Sequence, residues 1–192
     1  MDNNHLDPNS YASEPGNIHI SDEKWSEVAD LLGLSFFEKI KYNRNRKYID
    51  EYMYLGDTQP AVVMSTSPLI ISAYSDEMDA VMLLRFPDIL AEKYGLEDGT
   101  RLTVSNTYSM YADYSRVKRA DVAADIIPGK NFSGSFFDFR PIVTVFLSDD
   151  TDAIKRHTDN VPDALWEYVE ALSRKYAEKY PERTRDGFFY LK

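Results

Sequence analysis

The chain has 192 residues, of which 43% are hydrophobic and 14% aromatic, and its formal net charge at pH 7 is −10. This size and apolar content suit one soluble domain with a substantial core, and no apolar run is long enough to span a membrane. The absence of cysteine excludes disulfides and thiolate sites, and the acidic balance argues against general nucleic-acid binding, which requires a basic face.

The charge is distributed in blocks along the chain. Residues 1–38 carry a net charge of −7, residues 39–48 carry +5, and residues 49–98 carry −8. One basic segment therefore separates two acidic ones.

The first elements are a tail and a helix. Residues 1–20 are rich in Asn, Ser and Pro and poor in apolar groups, which predicts a mobile tail ahead of a single domain at 21–192. A first helix is predicted between Ser21, which can cap its start, and Gly33, which can end it. Its buried stripe consists of Trp25, Val28, Ala29 and Leu32.

The segment after this helix has a mixed pattern. Ser35 and Glu38 have the spacing of a capping box, which predicts a second helix from Phe36 into the basic segment. Residues 47–55 follow neither a helical nor a strand period cleanly. Helix and strand are both open for residues 39–55.

From Pro60 onward the pattern indicates β-structure. Short apolar or β-branched runs predict strands at 61–64, 69–74, 80–86 and 101–108. A short helix between the third and fourth of them ends at Gly95.

The second half contains a long irregular stretch and a long helix. Residues 109–139 predict a hidden strand near 122–127 or a functional loop, and 142–147 is the strongest strand signal of the chain. A long helix from Pro162 is expected to cross one sheet face together with the first helix, and 188–191 could add an edge strand. The fold class is α+β: a single domain with a mostly antiparallel sheet of about five strands and helices packed on it.

The catalytic inventory is small. The chain has three histidines, and His157 is interpreted as a solvated residue ahead of the long helix. No nucleophile-elbow, phosphate-loop or EF-hand pattern is present. The sequence therefore assigns no catalytic residue, no cofactor and no metal site.

Two groups of residues are candidates for binding. Lys41, Arg44 and Arg46 in the basic segment could clamp phosphates or anchor a protein partner, and Arg116 belongs to a second basic cluster. The simpler alternative is a solvated face whose cations pair with neighbouring acids.

Aromatic residues form the second group. Tyr111, Tyr114 and Phe136 lie in the irregular stretch, where they could line a pocket or an interface, or cover the sheet as ordinary core.

These observations favour a non-enzymatic binding or regulatory protein of the bacterial cytosol. An acidic surface would steer it to a protein partner, a basic one in the simplest case, and an immunity-type inhibitor is one version. The alternative is an enzyme that uses carboxylates, Tyr or Arg on a small molecule, with Asp76, Asp79 and Asp149 as candidates. A raised carboxylate pKa in an aromatic pocket would favour the enzyme, and a flat aromatic patch would favour the binding protein.

Overall fold

The computed structural model of the chain describes residues 15–110, 122–132 and 136–191, without the side chain of Met110. The helices in these ranges are α1 Asp22–Leu31, α2 Phe36–Leu55, α3 Ile89–Lys93, α4 Thr151–Asn160 and α5 Asp163–Lys179. The strands are β1 Asp57–Thr66, β2 Leu69–Ser75, β3 Ala80–Phe86, β4 Arg101–Met110, β5 Ile126–Pro128, β6 Phe136–Val143 and β7 Thr184–Asp186. The predicted α+β class is confirmed, with seven strands in the sheet.

The strands form one sheet in the order β5-β3-β2-β1-β4-β6, and β7 also pairs with β3. Among the described strands, β3 and β7 pair in parallel and all the other pairs are antiparallel. Strands β1 to β3 are consecutive hairpins, as expected for short runs separated by polar turns.

The sheet curls until its two edges approach one another. Arg185 of β7 donates to Asp138 of β6 at 3.0 Å, and the backbone N–H of Ala123 donates to the Phe137 carbonyl at 3.2 Å. The concave face of the sheet therefore surrounds the interior of the domain. One end of this interior lies near the starts of β1 and β6.

Two hydrophobic clusters hold the helices on the sheet. Helix α5 packs Leu165, Trp166 and Val169 against Val62, Tyr74, Val81 and Ile127. Helix α1 instead contributes to the larger cluster through Trp25 and Val28. The prediction that α1 joins α5 on one face is therefore wrong, because their apolar stripes are buried in different clusters.

Residues 15–20 are part of the folded domain. Pro15 forms a β-bridge with Asp57, and the side chains of Ile18 and Ile20 are buried in the core. The first fourteen residues of the predicted tail lie outside the described residues.

The structure resolves residues 39–55 as helix and places some later elements differently. The predicted strand at 142–147 ends at Val143, after which Thr144–Phe146 is a 3₁₀ turn. The edge strand expected at 188–191 lies instead at Thr184–Asp186. His157 belongs to α4, where its Nε2 lies 2.8 Å from the Gly16 carbonyl oxygen.

Candidate functional site

The predicted basic segment lies on α2, and its cations have different environments. Lys39 donates to Asp30 at 2.8 Å, and Arg46 forms an ion pair with Asp22. Lys41 and Arg44 lie on the exposed side of the helix. Internal pairing therefore accounts for Lys39 and Arg46 but leaves Arg44 without an ion pair among the described residues.

The exposed side of α2 carries aromatic, aliphatic and basic side chains. We define the α2 stripe as Phe37, Ile40, Lys41, Arg44, Tyr48 and Leu55, which share one helical face. The Phe37 side chain is 80% exposed, Tyr48 60% and Leu55 61%. The opposite face buries Tyr42, Ile49 and Met53 in the core. At 1.5 Å per residue, the stripe extends for about 27 Å.

The predicted aromatic candidates are divided by the structure. Tyr111, Tyr114 and Arg116 lie outside the described residues. Phe136 begins β6 and is half-buried, with its ring centroid 4.8 Å from that of Tyr108. Phe136 therefore packs against Tyr108, which itself belongs to a group of polar side chains.

That polar group lies where three strands end on the concave side of the sheet. We call it the mouth cluster and define it as Asp57, Gln59, Ser75, Asp76, Asn106 and Tyr108. The β1–β4 register places Asp57 opposite Asn106. Gln59 Nε2 donates to Asp76 Oδ1 at 2.7 Å, and Ser75 Oγ lies 3.4 Å from the Tyr108 hydroxyl.

Burial changes the acidity of the mouth cluster. Burial, with a smaller effect of the neighbouring charges of Glu77 and Asp57, raises the pKa of Asp76 to about 6 against the lowering effect of the Gln59 hydrogen bond. Burial also raises the pKa of Tyr108, with Asp57 and Asp76 adding to the effect. Tyr108 is therefore a neutral hydroxyl at physiological pH.

Asn106 is the unusual member of the mouth cluster. Its side chain is 1% exposed, and its Nδ2 donates to the Tyr74 carbonyl at 2.9 Å. Its Oδ1 is buried without a hydrogen-bond partner among the described residues. An unpaired buried acceptor of this kind costs about 1 to 3 kcal/mol of stability.

The other two acidic candidates have structural roles. Asp79 is buried and accepts from the hydroxyls of Tyr74 at 3.1 Å and Tyr168 at 2.7 Å. It also accepts from the Asn131 backbone N–H, so it joins β3 to α5 and to the segment after β5. Asp149 is exposed and lies 3.5 Å from Lys24 Nζ.

We expect Asp76→Asn to stabilise the protein at neutral pH by roughly 1 to 3 kcal/mol. The unfolded chain loses the Asp76 proton near pH 4, but the folded chain retains it up to about pH 6. Wild-type stability therefore falls as pH rises through this window. Asn keeps the acceptor for Gln59 and the Glu77 N–H but carries no charge toward Asp57, Glu77, Tyr74 and Tyr108.

Urea unfolding of both proteins between pH 3.5 and 8 measures this difference. The gain should vanish below about pH 4, where Asp76 is protonated in both states. Asp98→Asn, in an exposed turn, is the matched control and should change nothing. A gain that is equal at all pH values would contradict the assigned cause.

The sequence analysis predicted neither the mouth cluster nor the α2 stripe as a whole, and the reason differs between the two. Asp76 was singled out, but Gln59 and Asn106 are ordinary strand residues whose meeting depends on the β1–β4 register. The α2 stripe could have been found from the spacing of Phe37, Arg44 and Tyr48 once that segment was assigned as helix.

No family model and no curated protein matches the chain. A crystal structure described as a putative membrane protein from Corynebacterium diphtheriae matches 68% of this chain and 97% of its own, with 14% identity and a TM-score of 0.45. Such a likeness supports no functional argument. Within the described residues, no helix is both long and apolar enough to cross a bilayer, and no three acidic or histidine side chains are grouped as metal ligands.

Proposed function

We propose that this chain is a cytosolic, non-enzymatic binding protein that recognises a protein partner through the α2 stripe. The observation that carries the proposal is the exposure of Phe37 and Tyr48 on a helix whose opposite face buries Tyr42, Ile49 and Met53 in the core. Large exposed apolar side chains in one continuous stripe are uncommon on a surface without a partner.

The residue types of the α2 stripe suit a protein contact. Tyr and Arg dominate interface hot spots, and Phe is enriched in interface cores. Exposed Tyr48 and Arg44 are one helical turn apart, so they can enter the same pocket of a partner. The net charge of −10 disfavours nucleic acids and anionic membranes, which are also negatively charged.

Charge acts on this encounter at two ranges. The overall negative charge would attract a basic partner from a distance, as an immunity-type inhibitor attracts its target. At the contact itself, Lys41 and Arg44 favour carboxylates on the partner's apolar patch. The proposed partner is therefore a protein of basic net charge whose contact surface is an apolar patch flanked by acidic side chains.

The α2 stripe is tested by the double substitution Phe37→Ser with Tyr48→Ser. Both side chains are exposed, so the fold should be unchanged, while partner capture from native-host lysate should fall at least tenfold because each aromatic anchor contributes about 2 kcal/mol. Quantitative mass spectrometry of parallel captures measures the ratio. Ile89→Ser, which removes a 58% exposed apolar side chain from α3, is the matched control.

A protein retained by the wild type and by Ile89→Ser, and lost by the stripe variant, supports the proposal. Equal retention by the stripe variant, or no protein retained by the wild type, contradicts it. Arg44→Glu should also weaken capture, and Arg174→Glu at an exposed position of α5 should not.

A further inference from the structure

The mouth cluster contains hydrogen-bond acceptors that have no donor among the described residues. Asn106 Oδ1 is an acceptor that is buried without a partner among the described residues. Asp76 Oδ1 accepts from Gln59 and from the Glu77 N–H, and no hydrogen bond among the described residues involves Oδ2. Tyr108, on the same face of β4 as Asn106, adds a hydroxyl oxygen.

We propose that the mouth cluster is a binding site for a small organic molecule that carries a primary ammonium group. An ammonium has three donors and no acceptor, which matches the acceptors of Asn106, Asp76 and Tyr108. The Asp76 carboxylate supplies the opposite charge, and it has no ion pair among the described residues. The negative charge of Asp76 alone therefore balances the positive charge of the ammonium group.

The surroundings of the cluster favour an alkyl chain on that ammonium. The ring of Phe136 packs at 4.8 Å against that of Tyr108, whose hydroxyl lies 3.4 Å from Ser75 Oγ of the cluster. Aromatic faces attract alkylammonium groups through their quadrupole and bury the attached methylenes. A hard metal ion would instead need about six oxygen ligands, and no three acidic or histidine side chains are grouped as metal ligands among the described residues.

The experiment uses the full chain and n-butylammonium as the probe, with n-butanol and butyrate as the neutral and anionic matched probes. Calorimetric titration and thermal unfolding at pH 7.5 follow the binding. We expect n-butylammonium to bind and raise the Tm in a dose-dependent way, and butanol and butyrate to have no effect. Binding of calcium in place of the amine would overturn the proposal.

Two substitutions locate the site. Asp76→Asn should weaken n-butylammonium binding at least tenfold although the same variant is expected to be more stable, so the loss cannot be attributed to unfolding. Asn106→Leu should also weaken binding at least tenfold, and Asp98→Asn should leave it unchanged.

Unchanged binding in Asp76→Asn, or absence of n-butylammonium binding to the wild type, would overturn the assignment. The α2 stripe variant Phe37→Ser with Tyr48→Ser should bind n-butylammonium as the wild type does. This independence distinguishes a failure of the mouth cluster from a failure of the proposed protein contact.

Discussion

Replacing Arg185 by alanine is expected to lower the free energy of unfolding by about 3 to 5 kcal/mol, as for a buried ion pair that loses one partner. Arg185 makes two bonds of 2.7 Å to Asp125 and one of 3.0 Å to Asp138. Its side chain is largely buried, as is that of Asp138. The substitution leaves both carboxylates without their cation, and it removes the bond that joins β7 to β6.

Urea unfolding followed by circular dichroism measures this loss. Arg156→Ala removes an exposed arginine from α4 and should change the stability by less than about 0.5 kcal/mol. If Arg185→Ala were equally neutral, the two edges of the sheet would have to be held together by other contacts.

Replacing Phe188 by alanine should cost about 3 to 5 kcal/mol because it removes a fully buried ring. The Phe188 ring centroid lies 5.1 Å from that of Phe86 and 6.4 Å from that of Phe146, in edge and tilted contacts. The cavity cannot close readily, since these rings come from β3 and from the turn after β6.

The matched control is Phe37→Ala, which deletes the same atoms from an exposed position. It should leave the midpoint of thermal unfolding unchanged, while Phe188→Ala should lower it by about 6 to 20 °C, at about 2 to 4 °C per kcal/mol. Similar shifts for the two variants would contradict the assigned burial of Phe188.

Local signals in the sequence predicted the starts of helices well. Ser21 accepts from the Lys24 N–H as the cap of α1, and the capping box of Ser35 and Glu38 is present at α2. These signals are reliable because caps act over a single turn of backbone. The runs at 61–64, 69–74 and 80–86 are confirmed as strands for a similar reason, since each lies between turn residues.

Elements that depend on distant partners were harder to predict. Residues 47–55 follow neither a helical nor a strand period cleanly, and the burial of Ile49 and Met53 against the core accounts for the helix that they form. The apolar run after Val143 continues as a 3₁₀ turn, in which the Thr144 hydroxyl donates to the Thr103 carbonyl of β4. Such tertiary contacts override local propensity.

The mouth cluster was also hard to predict because its residues are distant from one another in the sequence. Asp76 is a turn residue by sequence, and nothing near it signals that its pKa is raised to about 6. Gln59 and Asn106 join it through strand pairing across the sheet. Within the described residues, the predicted binding residues are divided between α2, which carries Lys41, Arg44 and Arg46, and β6, which carries Phe136.

The pairing of β7 with β3 has a consequence for biosynthesis. Leu83 pairs with Thr184, so about a hundred residues must be translated after β3 before this partner emerges from the ribosome. Until then, backbone groups around Leu83 to Arg85 form an open strand edge that another nascent chain could extend. Slow translation of the intervening segment would prolong this exposure, and chaperone contact is expected to concentrate on β3.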